Sequence, residues 1–386
     1  MTKKFLSGNE AFALGVCLAK PHVISAYPIT PQTTVVEKLS ELVESGELKS
    51  EFIHVESEHS ALSAAIGASA VGARTFTATS SQGLLYMAEC LTYASGGRFP
   101  IVMMNANRST ALPWNIYGDQ RDSLSLLDHG WIQAYAEDAQ EALDLALMSF
   151  YVAEHKDVAT PFMANLDGFT LTHTYEVVDV PDAEQAEEFL PPYETDNKIS
   201  FDDPKNLGFS AGPDTNTEFK YKEHLGILNA RKVIKECEDK FFKIFNRKYS
   251  GLIETYKTED AGFVIVTLGT ISGLVKEVVD DLRDIGQKVG LLRIRYLRPF
   301  PNEEIVEALK NVKAIGVLEK DISFGNEGTV YTNVNSALHK AKLDVVSSNY
   351  IAGLGGRNIE KHQIEDIFTR LQSLNHEIVF VGLKEE

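Results

Sequence analysis

The sequence between residues 26 and 108 reads AYPITPQTTVVEKL (26–39), HVESEHSALSAAIGASAVGA (54–73), TFTATSSQGLLYMAE (75–89) and IVMMNANR (101–108), and this stretch decides the fold. Each piece has a hydrophobic strand that ends at a polar or Gly/Pro turn, and most continue into a helix. Repetition of this pattern predicts a parallel sheet whose loops meet at its carboxyl edge, where open α/β sheets bind ligands. Four of the turns carry side chains suited to a small anionic substrate and an organic cofactor: Thr30, Glu58, Ser80 with Ser81, and Arg108.

Composition narrows the classes of protein that the chain can be. Its 386 residues are enough for two domains with separate cores. A formal net charge of −18 without a Lys/Arg stripe argues against a nucleic-acid partner. No apolar run approaches the roughly 20 residues that cross a bilayer, and Asn9 and Glu10 interrupt the N-terminal apolar stretch, which excludes a signal peptide. We expect a cytoplasmic protein with no membrane partner.

The three cysteines, Cys17, Cys90 and Cys237, are far apart and form no CxxC pair. An iron–sulfur cluster normally needs four thiolates, so this chain cannot hold one alone. The ten histidines are equally scattered and show no ligand spacing. We therefore expect buried free thiols and no metal site supplied by this chain alone.

The first domain is predicted to span residues 1–174 as one doubly wound α/β unit. Ser7 and Glu10 have capping-box spacing, which predicts a helix that begins directly after Ser7. Thr30 followed by Pro31 fits a helix N-cap with proline at the first helical position.

Residues 175–261 are predicted to connect two domains. The part before residue 224 is rich in Pro, Asp and Asn, but FLPPY and LGFSAGP keep apolar residues, which favours an arm packed on another surface over a free linker. An amphipathic helix is expected from about His224 to Arg247. Strand–helix repeats then predict a smaller doubly wound α/β domain over residues 262–386.

A glycine-rich turn in this second domain contains Gly353, Gly355 and Gly356. Its spacing is not GxGxxG and no Walker lysine follows, so it is a weak signal for phosphate binding.

The candidate site residues each allow two interpretations. Glu58 is either a capping acid at a helix start or a buried carboxylate that hydrogen-bonds a cofactor ring nitrogen. Thr30 is an N-cap or a hydroxyl donor to a substrate. Arg108 is placed for bidentate capture of a carboxylate, worth about 1.5–3 kcal/mol as a charge-assisted bond. Its alternative is a surface ion pair with Asp119 or Asp122.

Several segments together resemble the alpha subunit of pyruvate:ferredoxin oxidoreductase, also called pyruvate synthase, in the 2-oxoacid:ferredoxin oxidoreductase family. They are GNEAFALGVCLAK (8–20), AYPITPQTT (26–34), VESEHSALSAAIGASAVGARTFTATSSQGL (55–84), DHGWIQAYAEDAQEALDLAL (128–147), RIRYLRPFP (293–301) and IAGLGGRNI (351–359). The resemblance implies a thiamine diphosphate pyrimidine-binding domain followed by a domain like the transketolase C-terminal domain.

The resemblance also implies roles for individual residues. Glu58 would bond N1′ of the aminopyrimidine ring and promote the imino tautomer that generates the thiazolium carbanion. Arg108 would hold the substrate carboxylate with help from Thr30, and these three would be the catalytic residues. The loop 113–122 would shape the pocket wall. The residues expected at the cofactor are Glu58, Pro28, Ile29, Ser80, Ser81 and Gln82.

The implied reaction is reversible oxidative decarboxylation of pyruvate with coenzyme A, giving acetyl-CoA and carbon dioxide while electrons pass to ferredoxin. The chain lacks the GDG motif of a diphosphate and Mg²⁺ site, because Asp167 with Gly168 is only a DG turn. Partner subunits of beta, gamma and delta type would therefore bring Mg²⁺ and the iron–sulfur clusters and complete the thiamine diphosphate site.

Other functions stay open at this point. A branched-chain 2-oxo acid such as 2-oxoisovalerate would suit the same residues, whereas 2-oxoglutarate is disfavoured because the loop offers no obvious second cation beyond Arg121. The chain could also be an assembly subunit without chemistry of its own. A nucleotide-dependent dehydrogenase is disfavoured by the missing GxGxxG.

Overall fold

The computed structural model describes residues 2–202 and 204–384 and contains fifteen strands and thirteen α-helices. The strands are β1 (Thr2–Ser7), β2 (Val23–Ala26), β3 (Glu51–His54), β4 (Thr75–Thr79), β5 (Val102–Asn107), β6 (Ile132–Tyr135), β7 (Phe162–Asp167), β8 (Tyr175–Val180), β9 (Ile253–Tyr256), β10 (Phe263–Thr267), β11 (Val289–Ile294), β12 (Tyr296–Arg298), β13 (Ala314–Glu319), β14 (Val346–Ile351) and β15 (Ile378–Phe380). The helices are α1 (Gly8–Ala19), α2 (Thr33–Glu44), α3 (Glu58–Ala70), α4 (Ser81–Tyr86), α5 (Ala88–Gly96), α6 (Arg121–Leu124), α7 (Ala139–Glu154), α8 (Ala183–Phe189), α9 (Pro213–Phe245), α10 (Ile271–Asp284), α11 (Asn302–Leu309), α12 (Thr329–Lys340) and α13 (Lys361–Leu371).

Two sheets organise the chain. The first has the order β12-β6-β7-β5-β4-β2-β3, and all its strands except β12 are parallel. The second has the order β15-β14-β13-β10-β11-β9, with only β9 antiparallel. In both, the strand order reverses along the sheet, which confirms the predicted pair of doubly wound α/β units.

The first sheet is covered on both faces, as a parallel sheet requires. Helices α1, α2 and α7 pack on one face around Phe12, Phe76 and Phe162, none of which is exposed. Helices α3, α4 and α5 pack on the other face. Gly15 allows α1 to approach α7 closely, because a Cβ there would lie 2.5 Å from the Leu143 carbonyl oxygen.

The predicted capping box at the start of α1 is confirmed. The Ser7 hydroxyl accepts a hydrogen bond from the Glu10 amide at 3.3 Å, and the Glu10 carboxylate accepts one from the Ser7 amide at 2.9 Å. These bonds satisfy two of the amide groups that a helix start leaves free.

The predicted N-cap at Thr30 is wrong, because α2 begins only at Thr33. The Ile29 carbonyl accepts a hydrogen bond from the Gln32 amide at 2.8 Å, and the Gln32 side chain accepts one from the Ile29 amide at 3.2 Å. This closed turn separates Thr30 and Pro31 from the helix.

The helix expected from about residue 224 begins eleven residues earlier, at Pro213. Gly212 precedes the helix and Pro213 occupies its first position, a favourable place for proline. Before it, β8 pairs with β1, and Phe189 is fully buried against Phe241 of α9. This part of the connection thus packs on the first sheet's domain, while the boundaries at 174 and 261 stay a prediction.

Buried arginines join the two sheets. Arg293 and Arg295, at the end of β11 and just beyond it, are 3% and 2% exposed, and both bond Glu141 of α7. Arg295 also pairs with Glu238 of α9 at 2.5 Å. Burial alone would raise the pKa of the Glu141 carboxyl, but Arg293 and Arg295 lower it to about 2. In addition, β12 pairs with β6 of the first sheet, so the two units share backbone and side-chain contacts.

A second link lies at the carboxyl edge. Asp167, at the end of β7, accepts hydrogen bonds from the Thr270 amide at 2.8 Å and from the Gln120 side chain at 2.9 Å, and it pairs with Lys320 at 3.2 Å. Thr270 precedes α10, so the carboxylate lies where the helix dipole favours negative charge. Burial opposes ionisation of Asp167, but Lys320 and Thr270 prevail and lower its pKa.

No helix in the described ranges is long and apolar enough to cross a membrane.

The Arg295 network predicts a large loss of stability when its charge is removed. In Arg295→Met, Glu238 loses its charged partner in the interior, so the free energy of unfolding should fall by about 3–5 kcal/mol. Urea denaturation followed by circular dichroism measures this change. The control is Lys310→Met, which removes an exposed pair with Glu307 and should cost less than about 1 kcal/mol. Equal losses in both variants would contradict a stabilising role of the buried network.

Candidate functional site

The carboxyl edge of the first sheet brings the predicted turns into one row. Thr30 follows β2, Glu58 follows β3, Ser80 and Ser81 follow β4, and Arg108 follows β5. These strands are neighbours in the order β5-β4-β2-β3. The loops therefore lie side by side, as the parallel pattern predicted.

Glu58 is the first residue of α3 but does not cap it. Ser57 is the N-cap, and its hydroxyl accepts a hydrogen bond from the Ser60 amide at 3.2 Å. The Glu58 side chain is 8% exposed, and its carboxylate accepts no hydrogen bond from the described residues. Glu58 is thus not the N-cap, although it lies in the first turn of α3, where the helix dipole favours a negative charge. Its nearly buried carboxylate is left without a donor among the described residues.

The Glu58 carboxylate lies against Gly83 in α4. A Cβ at Gly83 would be 2.5 Å from Glu58 Oε1 and 2.7 Å from Thr79 Oγ1. Any larger residue at position 83 would displace the carboxylate. The glycine therefore keeps open the space in which Glu58 lies.

Arg108 is held by backbone carbonyls. Its Nε donates to the Asn115 carbonyl at 3.0 Å and its Nη1 donates to the Thr30 carbonyl at 2.9 Å. The guanidinium forms no ion pair with Asp119 or Asp122, so that alternative is wrong. Its Nη2 has no acceptor among the described residues. Burial lowers the pKa of Arg108, and the nearby Asp122 charge opposes this change.

Asp122 connects the loops that carry these groups. Its Oδ2 accepts hydrogen bonds from the amides of Ser81 and Arg108, both at 3.1 Å, and from the Asn105 side chain at 3.3 Å. Its Oδ1 accepts from the Asn107 side chain at 2.8 Å. Burial raises the pKa of Asp122 to about 6, although these bonds favour the ionised form. The carboxylate fixes the turns after β4 and β5 relative to each other.

The two serine hydroxyls predicted at the cofactor are bonded within the protein. Ser80 donates to the Ala106 carbonyl and Ser81 donates to the Ser109 carbonyl, both at 2.7 Å. These two bonds join the end of β4 to the end of β5. Any contact of this turn with a cofactor would therefore come from atoms other than the two hydroxyl groups. The side-chain oxygen of Gln82, the next residue, lies 2.6 Å from the Ser81 hydroxyl oxygen, so Gln82 and the Ser109 carbonyl share the single Ser81 hydroxyl proton.

The loop after β2 is more exposed to solvent than the turns after β4 and β5. Pro28 and Thr30 are exposed and Ile29 is half-buried. The Thr30 hydroxyl has no hydrogen-bond partner within the described ranges, while its carbonyl orients Arg108. The two residues proposed for substrate binding are therefore in direct contact.

The second domain contacts the loop 113–122. The Asn115 side chain donates to the Gly355 carbonyl at 2.7 Å, and the Gly355 amide donates to Asp119 at 3.0 Å. Gly355 and Gly356 have positive φ values of 62° and 78°, which glycine adopts readily. The glycine-rich turn thus holds the loop, and its Gly355 amide is not available to a phosphate.

Arg121 is also paired. Its Nη2 donates to Asp119 at 2.9 Å and to the Ser109 hydroxyl at 2.7 Å. Asp119 is fully buried, so its charge offsets that of Arg121 locally.

Sequence reasoning missed Thr79 and Gly83, and it considered Asp122 only as an ion-pair partner. A usable signal was the presence of polar residues in strands with otherwise apolar surroundings: Thr79 in TFTAT, and Asn105 with Asn107 in VMMNAN. Both strands are fully buried. Polar side chains in such strands need partners, and partners are often found at functional sites.

The cysteines are free, with Cys90 and Cys237 buried and Cys17 half-buried. Among the described residues, no group of three or more His, Cys, Asp or Glu side chains is arranged to hold a metal ion.

Comparison with known families gives two matches. Residues 14–239 match the family model described as pyruvate flavodoxin/ferredoxin oxidoreductase, thiamine diphosphate-binding. Residues 261–364 match the model described as pyruvate:ferredoxin oxidoreductase core domain II.

Individual relatives agree with these matches. The pyruvate synthase subunit PorA of Methanothermobacter thermautotrophicus is 45% identical over 386 residues and is covered completely, as is this chain. The ketoisovalerate oxidoreductase subunit VorA of Pyrococcus horikoshii is 46% identical, with 95% of this chain and 92% of that protein covered.

Among solved structures, 2-oxoglutarate:ferredoxin oxidoreductase from Magnetococcus marinus, with 2-oxoglutarate, coenzyme A and succinyl-CoA bound, has a TM-score of 0.72 at 20% identity. The match covers 96% of this chain and 65% of that one, and at this identity it supports the fold alone. The identities to the two subunits and the family match over more than half of the chain confirm the resemblance found in the sequence. The chain therefore belongs to the pyruvate flavodoxin/ferredoxin oxidoreductase family.

Proposed function

We propose that the chain is the alpha subunit of a thiamine diphosphate-dependent pyruvate:ferredoxin oxidoreductase. The enzyme would convert pyruvate and coenzyme A to acetyl-CoA and carbon dioxide, reversibly, with electrons passed to ferredoxin. One observation carries the proposal. Within residues 2–202 and 204–384, the nearly buried Glu58 carboxylate has no hydrogen-bond donor and Arg108 Nη2 has no acceptor, and the two side chains lie in the same row of loops.

The residues around Glu58 fit the aminopyrimidine ring of the cofactor. A buried carboxylate without a protein donor needs a ligand donor, since leaving it unpaired is costly. Gly83 leaves room for this carboxylate, because a Cβ there would lie 2.5 Å from Glu58 Oε1. When bound, thiamine diphosphate supplies the carbon nucleophile that attacks the oxo carbon of the substrate.

Glu58 would hold and exchange a proton at the ring nitrogen N1′. A carboxylate in a low-dielectric cleft interacts more strongly with a ring N–H than one in water does. Its position at the start of α3 fixes its backbone, while Ser57 takes the capping role. The side chain is therefore available for the cofactor.

Arg108 and Thr30 would bind the 2-oxo acid. Two carbonyls orient the guanidinium before substrate arrives, which lowers the entropy cost of binding. The unpartnered Nη2 would donate to the substrate carboxylate, and the Thr30 hydroxyl would donate to an acid or oxo oxygen. These contacts address groups that every 2-oxo acid shares.

The loop 113–122 favours a 2-oxo acid without a second carboxylate. Arg121 is bonded to Asp119 and Ser109, which leaves no free second cation there for the distal carboxylate of 2-oxoglutarate. Leu112, directly before this loop, and Trp114 within it are 78% and 71% exposed and add apolar surface. Pyruvate is the first choice. The alternative is 2-oxoisovalerate, which the similarity to a ketoisovalerate oxidoreductase subunit supports.

The proposal requires partner chains. With three dispersed cysteines and no GDG motif, this chain would depend on beta, gamma and delta type subunits for iron–sulfur clusters, Mg²⁺ and the diphosphate part of the cofactor site. The relatives named as subunits support this arrangement. Free thiols agree with the cytoplasmic location expected from the sequence.

Anaerobic assay of the purified complex tests the function. Coenzyme A-dependent reduction of ferredoxin or a dye is measured with pyruvate, 2-oxoisovalerate and 2-oxoglutarate. The highest kcat/KM is expected with pyruvate. Preference for 2-oxoisovalerate would select the alternative substrate, and no reduction with any acid would reject the proposal.

Replacement of Glu58 separates a catalytic subunit from an assembly subunit. Glu58→Gln keeps the shape but loses the carboxylate, so turnover with pyruvate should fall by a factor of about 100 or more. Turnover and bound thiamine diphosphate are measured in the assembled complex.

The matched control is Glu56→Gln, because Glu56 is an exposed carboxylate two residues earlier. It should retain turnover. Equal, unchanged turnover in both variants would favour the non-catalytic assembly role.

Replacement of Arg108 tests substrate capture. Arg108→Lys keeps the charge, but one ammonium group cannot bond Asn115, Thr30 and a carboxylate in the same geometry. We expect kcat/KM for pyruvate to fall by a factor of about 10–100, as for loss of a charge-assisted bond. Steady-state kinetics measures this, with KM for coenzyme A as the internal control. An unchanged kcat/KM for pyruvate would contradict the assignment.

A further inference from the structure

Two polar side chains that have no hydrogen-bond partner in the part of the chain that the structure describes face one point in the site. A Cβ built on Gly83 would lie 2.5 Å from Glu58 Oε1 and 2.7 Å from Thr79 Oγ1. Thr79 is fully buried, and its hydroxyl has no hydrogen-bond partner within the described ranges. The two side chains thus approach the same small space from α3 and from the end of β4.

The neighbouring hydroxyls cannot take the place of Thr79. Ser80 donates to the Ala106 carbonyl and Ser81 donates to the Ser109 carbonyl. Of the three consecutive hydroxyl side chains at residues 79–81, that of Thr79 therefore has no acceptor among the described residues. Leaving a buried polar group without a partner is energetically unfavourable. This cost suggests that the hydroxyl acquires a partner when the site is occupied.

We propose that Thr79 is a positioning residue for Glu58, donating a hydrogen bond from its hydroxyl to the carboxylate when Glu58 engages the cofactor ring. An ionised carboxylate only accepts hydrogen bonds, so the hydroxyl must be the donor. One carboxylate oxygen is then held by Thr79, and the other is free for the ring nitrogen. This inference rests on the proposed function of Glu58.

The position of Thr79 suits this role. It ends β4, directly before the turn that leads into α4, and it lies opposite Asn105 in the sheet. The backbone there is fixed by the sheet on one side and by the Asp122 bond to Ser81 on the other. A hydroxyl on such a rigid element orients its partner better than one on a mobile loop.

The chain provides a matched control for the test. Thr77 is on the same strand and the same face and is equally buried, and its hydroxyl likewise has no hydrogen-bond partner among the residues described. It lies two residues, or roughly 7 Å, further from the carboxyl edge. The variants Thr79→Val, Thr79→Ser and Thr77→Val are therefore compared in the assembled complex.

Turnover with pyruvate, the dissociation constant of thiamine diphosphate and the melting temperature are measured for each variant. Loss of a hydrogen bond to a charged group should lower the turnover of Thr79→Val about tenfold or more. We expect cofactor binding to weaken in parallel. Thr79→Ser and Thr77→Val should both retain turnover within about twofold of wild type, since the first keeps the hydroxyl and the second loses one away from Glu58.

Equal turnover of Thr79→Val and Thr77→Val would overturn the inference. So would an equal loss of turnover in Thr79→Val and Thr79→Ser, because Thr79→Ser keeps the hydroxyl. If Thr79→Val does not fold, Thr79→Ala and Thr77→Ala replace the pair. The Glu58→Gln variant distinguishes failure of the positioning role of Thr79 from failure of the proposed function. A strong effect of Glu58→Gln with no effect at Thr79 rejects only the positioning role, whereas no effect at either residue rejects the proposed function.

Discussion

The buried carboxylate of Asp122 is the interaction on which the candidate site depends. It accepts hydrogen bonds from the turn after β4, from the end of β5 and from its own loop, at distances of 2.8–3.3 Å. Desolvation of a carboxylate is costly, and these donors offset the cost. These bonds fix the position of Arg108 relative to the start of α4. Helix α4 in turn contains Gly83, which lies beside Glu58. The side chains proposed to bind substrate and cofactor are thus fixed relative to each other in the absence of either ligand.

The second domain also fixes the loops of the candidate site. Its glycine-rich turn bonds Asn115 and Asp119, and Thr270 with Lys320 bonds Asp167 at the carboxyl edge. Further from the site, the buried arginines of RIRYL neutralise the acids of α7 and α9. Loops that are fixed on several sides lose little entropy on binding, which suits a site that must orient a small substrate.

Local patterns predicted the parallel sheets, the capping box at Ser7 and the row of turns, because strand and helix periodicities depend on nearby residues. The missed features depend on residues far apart in the sequence. The carbonyl of Thr30 is bonded by Arg108, Asp122 bonds Ser81, and β12 joins the first sheet across 160 residues from β6 to β12. The early start of α9 was missed because its first turns are polar and largely exposed. The unpartnered state of Glu58 could only be recognised once its surroundings were known.

The most direct test of the account is a structure of the assembled enzyme with thiamine diphosphate and pyruvate bound. The measurement is two distances: from a Glu58 carboxylate oxygen to N1′ of the aminopyrimidine ring, and from Arg108 Nη2 to the substrate carboxylate. If Glu58 binds the cofactor and Arg108 binds the substrate, both are hydrogen bonds of roughly 2.7–3.2 Å. A cofactor ring bonded by another carboxylate, with Glu58 facing away, would contradict the central claim that this chain supplies the catalytic half of the site.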